Sequence, residues 1–521
     1  MTREEKITKL SEEKKWDILV IGGGASGLGV ALDAASRGFS TVLFEQYDFA
    51  KGTSSKSTKL VHGGVRYLAQ GNIELVKVAL EERGRLARNA RHLFKVQEFV
   101  IPNYSWWKGP YYALGLKFYD FLSKRLSIGK STWISKKEVL NKIPTLEPDD
   151  LSNGISYFDG QFDDARLALS IAQTAEEQGA TLLNYARIIG VLKDANDLIE
   201  GVEVEDRETG NRYKVYAKVL VNAAGIYTDK VLKLYNPSHK KTVVPSQGIH
   251  LMLDRSFLQG DTAIMIPKTS DGRVLFIIPW HDKVIAGTTD TLIKKPSIEP
   301  LPLEEEVDFI LETINQYVTI KASRSDVLSV FSGLRPLAKP KKDETRTKEV
   351  SRSHKIIVDN QMVSIVGGKW TTYRKMAEDV VDTITAQFDL EDVASPTRDI
   401  ELHGNISASN SIPVDHLRMY GSDREAYLSF ENSTPGYEEV IHKNFPFTMG
   451  QVIWSIRFEM ARTVEDVLSR RMRMLLLDAR AAIESAPRVA SWMAQELGRD
   501  GTWEASQITE FTKLANKYLL N

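Results

Sequence analysis

Residues 17–45 read DILVIGGGASGLGVALDAASRGFSTVLFE, and this stretch decides the fold class. An apolar run rich in β-branched residues predicts a strand over 17–21, and the glycines that follow predict a tight turn over 22–27. We expect a helix over 28–37 and a second strand over 41–44. Together these elements form a βαβ unit, which is typical of α/β proteins.

The spacing of the glycines indicates a dinucleotide site. Gly22, Gly24 and Gly27 follow the GxGxxG pattern, which brings backbone N–H groups against a pyrophosphate at the helix N-terminus. Glu45 ends the second strand, where a carboxylate accepts hydrogen bonds from an adenosine ribose. Because strand, glycines, helix and terminal acid occur in register, we predict that this unit binds a dinucleotide.

The dinucleotide could be NAD or FAD on this unit alone. Two distant segments also read as a strand followed by a small-residue turn, 219–225 and 363–368, and a helix follows the second of them. Several segments of one chain can hold a single long cofactor, so this arrangement favours FAD over a diffusible nicotinamide.

Composition excludes several other classes of function. The chain of 521 residues has 68 Lys and Arg against 69 Asp and Glu, a net charge of −1 with no basic excess to hold nucleic acid. Its lack of cysteine rules out disulfides, Cys-ligated zinc, iron–sulfur clusters and a thiolate nucleophile. Without an HExxH motif or a calcium-type loop in the sequence, we predict no metal site.

The N-terminal region shows neither a targeting signal nor a membrane span. Residues 1–15 mix acids and bases without an apolar h-region, and the charge-free run 18–32 is too short to cross a bilayer. We therefore expect a cytoplasmic protein, with attachment to a membrane surface left open.

Longer motifs resemble one family of flavoproteins. The segments GTSSKSTKLVHGGVRY (52–67), GTTD (287–290), GLRP (333–336) and GGKWTTYR (367–374) resemble the FAD-dependent glycerol-3-phosphate dehydrogenases of the respiratory, aerobic type. ARTVEDVL (461–468) resembles the helical domain of the same family. The resemblance implies a glutathione-reductase-like Rossmann domain that binds FAD, an inserted β-sheet-rich substrate domain and a C-terminal α-helical domain.

The resemblance and the sequence pattern together give domain boundaries. We expect the FAD-binding domain in 15–75, 150–240 and 340–392, the substrate-binding domain in 76–149 and 241–339, and the C-terminal helical domain in 393–521. After residue 438 the pattern predicts helices without strands.

The resemblance also assigns the substrate pocket, to Arg66, Tyr67, His250, Arg335, Arg352 and Lys369. A substrate phosphate needs fixed cationic donors, and an arginine fork binds two of its oxygens in plane, so Arg335 and Arg352 are the predicted clamp. His250 is the predicted base for the substrate hydroxyl. Lys369 either polarises that hydroxyl or balances the charge of the reduced flavin.

Further residues are expected to contact the cofactor. They are Thr53, Ser54, Ser55, Lys59, His62, Gly225, Gly368 and Thr371. A helix that opens near Thr371 would direct the positive end of its dipole at the flavin.

The implied reaction is oxidation of sn-glycerol 3-phosphate to dihydroxyacetone phosphate, with hydride transfer to FAD N5 and electrons passed to a quinone. Three alternatives stay open: an oxidase that uses oxygen, a related amine or amino-acid oxidase, and a non-catalytic flavin-binding interaction protein.

Aromatic and basic residues are frequent over 104–133. Composition favours a segment of the protein core, whereas the resemblance favours peripheral contact with the inner face of the cytoplasmic membrane. A homodimer is also expected.

Overall fold

The computed structural model describes residues 1–64, 73–104, 128–270, 272–339 and 354–520. Its α-helices are α1 (Arg3–Glu12), α2 (Ala25–Ser36), α3 (Ile73–Asn89), α4 (Lys136–Lys142), α5 (Asp164–Glu177), α6 (Thr228–Tyr235), α7 (Glu304–Tyr317), α8 (Tyr373–Gln387), α9 (Arg424–Asn432), α10 (Met449–Arg457), α11 (Met474–Leu477), α12 (Ala479–Leu497) and α13 (Gly501–Ala515). Its strands are β1 (Trp16–Ile21), β2 (Thr41–Phe44), β3 (Leu60–Val61), β4 (Phe94–Asn103), β5 (Thr132–Ser135), β6 (Asn153–Phe162), β7 (Thr181–Leu183), β8 (Ala186–Lys193), β9 (Ile199–Asp206), β10 (Arg212–Asn222), β11 (Val243–Asp254), β12 (Ala263–Ile266), β13 (Leu275–Trp280), β14 (Lys283–Gly287), β15 (Thr291–Leu292), β16 (Ser329–Ala338), β17 (His354–Asp359), β18 (Met362–Gly367), β19 (Val440–His442) and β20 (Phe445–Thr448).

The first sheet is built around the predicted βαβ unit. Strands β17, β18, β10, β1, β2 and β7 lie side by side, and β1 is parallel to both of its neighbours. Successive residues of β1 enter different cores: Ile18 and Val20 pack with α2, α5 and α8, whereas Leu19 packs with β9 and α6. Such burial on both faces explains why β1 is apolar throughout.

The second sheet forms the wall opposite the glycine-rich turn. Its strands run β15, β11, β14, β13, β12, β4, β6 and β3, with β16 paired to β11 and β5 paired to β6. Strands β11 and β16 are antiparallel from Val243, opposite Ala338, to Met252, opposite Ser329. Apolar side chains of helix α7 pack against one face of this sheet. The other face lies opposite the turns that follow the strands of the first sheet.

Two strands belong to a different sheet from the one expected. The sequence placed residues 15–75 and 150–240 with the nucleotide-binding unit, but β3 and β6 are hydrogen bonded within the second sheet. The physical reason is that β6 pairs along its whole length with β4, from Phe94 opposite Phe162 to Asn103 opposite Asn153. The chain therefore crosses between the two sheets more often than the predicted boundaries allow.

The prediction that no strand follows residue 438 is wrong. Strands β19 and β20 form a short antiparallel hairpin ahead of α10. Its alternating pattern buries Ile441 and Phe447 against α12 and its neighbours, as a period of two residues requires. The pattern is only three or four residues long in each strand, too short to differ from a helical pattern.

Buried ion pairs attach the C-terminal region to the first sheet. Asp48 follows β2 and is fully buried, and its carboxylate accepts hydrogen bonds from the guanidinium groups of Arg470 and Arg471. Both arginines lie in a π-helical turn, Asp466–Arg471. Because burial of unpaired charges is costly, these contacts make the docking of the two regions specific.

A half-buried histidine, His403, makes the stability of this region depend on pH. His403 Nε2 lies 2.6 Å from Asp423 Oδ2, and its Nδ1 contacts Glu177, at the end of α5. Burial alone would lower the pKa of His403, but the two carboxylates raise it to about 9. The protonated histidine therefore joins the segment after residue 395 to α5.

We expect this histidine to stabilise the protein below pH 6.5, its ordinary pKa, and to lose that contribution as pH rises through 9. Because His403 and Glu177 are partly exposed, solvent screening limits this contribution to about 1 kcal/mol. Urea unfolding of the native protein and of His403→Asn should give a difference that shrinks between pH 6.5 and 10. A difference that is constant over this range would contradict the assignment.

Among the described residues, no helix has both the length and the apolar character required to span a bilayer.

Candidate active site

A cavity of about 640 Å³ lies between the turns of the first sheet and the face of the second. It brings together segments that are far apart in the sequence. Twelve of the predicted site residues line it: Gly22, Gly24, Glu45, Thr53, Ser54, His62, Gly225, His250, Arg335, Gly368, Lys369 and Thr371.

The N-terminus of α2 opens at one end of this cavity. Gly24 is the N-cap residue, and the amide of Ala25 donates to the Ser54 hydroxyl at 2.9 Å. The other amides of the first turn have no partner within the helix, so they and the helix dipole favour an anion at this point. A Cβ at Gly27 would lie 1.9 Å from the carbonyl oxygen of Gly22, so only glycine allows the turn to close this tightly.

Glu45 lies beside this turn, as expected from its position at the end of β2. Its carboxylate accepts hydrogen bonds from the amides of Gly23, at 2.7 Å, and Tyr47, at 2.9 Å. Burial raises the pKa of Glu45, and the two backbone hydrogen bonds oppose that shift. Each carboxylate oxygen keeps a lone pair for a ribose hydroxyl. The anion-binding turn, the acid and the volume of the cavity therefore fit FAD.

The segment 52–64 forms one side of the cavity. The Thr53 hydroxyl donates to the carbonyl of Leu334 at 2.6 Å, and the indole of Trp370 donates to the carbonyl of Ser54 at 2.8 Å. These bonds join the segment to both β16 and the start of α8. Three motifs that are separate in the sequence thus meet around one space.

Three predicted cofactor residues do not line the cavity, namely Gly27, Ser55 and Lys59. Gly27 supports the turn by close packing. The ammonium group of Lys59 points into a buried cluster instead, where it donates to Asp164 Oδ2 and to the carbonyl of Ser55, each at 2.6 Å. Arg473 binds the same two partners. The position of Lys59 therefore gives no support to the prediction that it contacts the cofactor.

His250 lies on β11 at the other end of the cavity. Its ring is 2% exposed and stacks on Phe331, with ring centroids 4.9 Å apart. The Nε2 atom is 2.9 Å from the hydroxyl oxygen of Thr58. Burial, together with the positive charges of Lys59 and Arg335, lowers the pKa of His250 well below its ordinary value. The imidazole is therefore neutral at pH 7 and able to accept a proton.

Arg335 lies on β16, and three groups in the described part of the chain contact its guanidinium. Nη2 donates to the Thr288 hydroxyl at 3.1 Å, Nη1 donates to the carbonyl of Gln247 at 3.3 Å, and Nη1 lies 3.5 Å from Asp290 Oδ1. The guanidinium crosses the backbone at Gly248, where a Cβ would lie 2.4 Å from Nη2. The absence of a side chain at Gly248 therefore leaves room for the guanidinium beside β11.

Lys369 directly precedes the turn that begins α8. A 3-10 turn, Trp370–Thr372, leads into the helix at Tyr373. Both Lys369 and Thr371 line the cavity, so this second helix start also directs its positive end toward the cofactor space. The prediction of a helix opening near Thr371 agrees with this geometry.

A second cavity of about 190 Å³ adjoins the first. The two cavities share Thr58, Leu60, His62 and Arg335 in their walls. Arg273, which the sequence analysis missed, lines the second cavity only. No motif marked it, because its place in the wall depends on how the strands of the second sheet align.

Three predicted substrate residues, Arg66, Tyr67 and Arg352, lie outside the described residues. Within the described part of the chain, no group of three or more potential metal ligands comes together.

Two family models cover most of the chain. The model of FAD dependent oxidoreductases matches residues 17–362, and that of the C-terminal domain of alpha-glycerophosphate oxidase matches 361–504. With the two-sheet fold and the dinucleotide cavity, they define a FAD-dependent oxidoreductase and confirm the predicted fold class and cofactor.

Relatives that match almost the whole chain identify its family among the FAD-dependent oxidoreductases. Mitochondrial glycerol-3-phosphate dehydrogenase of Saccharomyces cerevisiae is 35% identical, over 98% of this chain and 91% of its own. That of Bos taurus is 36% identical, over 99% of this chain and 75% of its own. The fold also matches the crystal structure of glycerol-3-phosphate dehydrogenase from Bacillus halodurans complexed with FAD, with a TM-score of 0.80. The two sequences are 30% identical, and the match covers 99% of this chain and 97% of the other. The chain belongs to the FAD-dependent glycerol-3-phosphate dehydrogenase family.

Proposed function

We propose that the protein oxidises sn-glycerol 3-phosphate to dihydroxyacetone phosphate and passes the electrons to a quinone. The observation that carries this proposal is the position of Arg335, which lies in the wall common to both cavities. A fixed guanidinium next to the cofactor space suits a substrate that carries a phosphate and a nearby alcohol.

The substrate phosphate would bind in the second cavity, between Arg335 and Arg273. Both arginines line this space, which is large enough for several waters and therefore for a phosphate group. The substrate carbon chain would then extend past Thr58 toward the larger cavity. Arg66, Tyr67 and Arg352 stay predicted substrate residues.

FAD held in this cavity would supply the acceptor for a hydride from the substrate carbon. His250 accepts the proton of the substrate hydroxyl at Nε2, since this nitrogen reaches Thr58, a residue common to both cavities. Lys369 supplies a positive charge beside the cofactor space, where it balances the charge that reduction adds. We propose that the predicted cofactor residues lining the larger cavity contact FAD; they are Gly22, Gly24, Glu45, Thr53, Ser54, His62, Gly225, Gly368 and Thr371.

An anaerobic absorbance spectrum tests the reaction and the substrate together. The flavin bands of the purified protein should bleach when sn-glycerol 3-phosphate is added, and glycerol at the same concentration should have no effect. Bleaching by an amino acid instead would overturn the assignment of sn-glycerol 3-phosphate as the substrate. A flavin that no substrate bleaches would favour a non-catalytic flavin-binding protein.

The electron acceptor needs its own measurement. A short-chain quinone should support turnover of the membrane-free enzyme, with little oxygen consumption. Rapid oxygen uptake with formation of hydrogen peroxide would identify an oxidase and overturn the quinone proposal.

We also propose peripheral contact with the inner face of the cytoplasmic membrane. Trp133, at the end of the aromatic segment, is 48% exposed, as an interfacial side chain would be. Residues 105–127 of that segment lie outside the described residues. Sedimentation with anionic lipid vesicles should be weakened by Trp133→Ser; equal binding of both proteins would refute a role for this residue. The homodimer stays a prediction.

We expect His250→Asn to slow anaerobic flavin reduction about a hundredfold, the usual contribution of a positioned general base. Asparagine can keep a hydrogen bond to Thr58 but cannot accept the proton. Rapid mixing with sn-glycerol 3-phosphate measures this rate directly. A suitable control is His442→Asn, since His442 pairs with Glu484 at the surface. Unchanged reduction kinetics in His250→Asn would exclude the histidine as base.

A further inference from the structure

The chain after β14 presents its side chains alternately to two different partners. Thr288 and Asp290 contact the guanidinium of Arg335. The hydroxyls of Thr289 and Thr291 donate instead to Glu306 Oε1, at 2.8 and 2.7 Å. An extended chain alternates its side chains in this way, so the position of one set determines that of the other.

Glu306 lies in the first turn of α7 and is 3% exposed. Its second oxygen, Oε2, accepts hydrogen bonds from the side-chain amide of Gln247 at 2.7 Å and from the amide of Leu303 at 3.2 Å. All four donors are uncharged. Burial of a carboxylate is costly without such hydrogen bonds, and these four contacts hold the Glu306 side chain in one orientation.

Gln247 connects Glu306 to Arg335 by a second route. Its side-chain amide donates to Glu306, and its backbone carbonyl accepts from Nη1 of Arg335 at 3.3 Å. Glu306 therefore holds the chain on both sides of the guanidinium, through Gln247 on β11 and through Thr289 and Thr291 beyond β14.

We propose that Glu306 is a positioning residue, which fixes Thr288, Asp290 and Gln247 so that Arg335 is oriented to bind the substrate phosphate. This inference rests on the proposed function, because it deepens the role of Arg335 in phosphate binding. Glu306 contacts neither cavity itself. It acts only through the residues that hold the arginine.

The substitution Glu306→Gln tests this role with little change of shape. Each oxygen of the carboxylate accepts from two donors, and a glutamine amide would set its own NH2 group against one of these pairs. We expect flavin content to be unchanged and the KM for sn-glycerol 3-phosphate to rise about tenfold with a much smaller change in kcat. Glu305→Gln is the matched control, since the exposed Glu305 has the same charge in the same helical turn.

Binding of inorganic phosphate gives a readout that needs no turnover. Calorimetry on the flavin-loaded protein should show about tenfold weaker phosphate binding in Glu306→Gln and native affinity in Glu305→Gln. Failure of the flavin to bleach with sn-glycerol 3-phosphate would contradict the proposed function alone. Native phosphate affinity in Glu306→Gln would overturn the positioning role.

A double-variant comparison separates positioning from a general structural effect. If Glu306 acts through Arg335, adding Glu306→Gln to Arg335→Ala should cause no further loss of phosphate affinity. Losses that multiply would overturn the proposal. Should Glu306→Gln fail to fold, Thr291→Val removes one donor and keeps the carboxylate, and the same pattern at smaller amplitude is expected.

Discussion

Arg335→Ala is expected to lower kcat/KM for sn-glycerol 3-phosphate about a thousandfold and to leave the flavin content unchanged. Bound substrate would bury the pair that its phosphate forms with the half-buried Arg335. Truncating one partner of such a hydrogen-bonded charge pair costs about 2–5 kcal/mol, and each 1.4 kcal/mol is a tenfold change. Arg335 contacts Thr288, Gln247 and Asp290, none of which belongs to the glycine-rich turn at α2. The loss should therefore fall on the substrate and not on the cofactor.

Steady-state kinetics and the ratio of flavin to protein measure the two effects separately. Arg335→Lys should be intermediate, because lysine keeps the charge and loses the planar fork. Arg324→Ala is the matched control, since Arg324 forms surface pairs with Glu304 and Asp308. An Arg335→Ala protein that has lost its flavin but shows a normal KM would refute the assignment.

Asp48→Ala should destabilise the protein by about 3–5 kcal/mol, the cost of removing one partner from a buried ion pair. Asp48 is fully buried and binds two guanidinium groups, those of Arg470 and Arg471. Arg471 would lose its carboxylate partner and stay buried next to a cavity, while Arg470 would keep Glu465 and Asp466. The nearby charges of these arginines hold the pKa of Asp48 below its usual value despite burial, so the carboxylate is ionised over the whole neutral range.

Thermal or urea unfolding of the flavin-loaded protein measures this loss. Asp399→Ala is the control: Asp399 pairs with Arg88 at 2.6 Å, but both side chains are more than half exposed. An exposed pair contributes at most about 1 kcal/mol, so the control should unfold almost like the native protein. Equal shifts in the two variants would show that burial of the Asp48 cluster does not matter for stability.

The nucleotide-binding unit could be predicted closely because local patterns determine it. Strand β2 has the predicted bounds, β1 begins one residue earlier than expected, and α2 begins at Ala25 instead of residue 28. Glycines at a tight turn and apolar residues in a buried parallel strand leave few alternatives. Residues adjoining such motifs, such as Glu45 and Lys369, were therefore found at the cavity.

The rest of the site depends on contacts that no local pattern encodes. Thr58 meets His250 only because segment 52–64 crosses from the first sheet to the second, 192 residues away in the sequence. Lys59 is the next residue along that segment, and its side chain enters a buried cluster instead. Sequence alone could not distinguish these neighbours, since the direction of each side chain is determined by the packing of Asp164 and Arg473.

Buried ionic contacts join the C-terminal region both to segment 52–64 and to the residues after β2, which also constrains how the two parts of the chain can evolve. Arg473 supplies hydrogen bonds to Asp164 and to the backbone of Ser55, and Arg470 and Arg471 neutralise Asp48. A gene rearrangement that exchanged the last 125 or so residues for another helical domain would leave buried charges without their ion-pair partners. We therefore expect the two regions to evolve as a single unit, with changes in one compensated in the other.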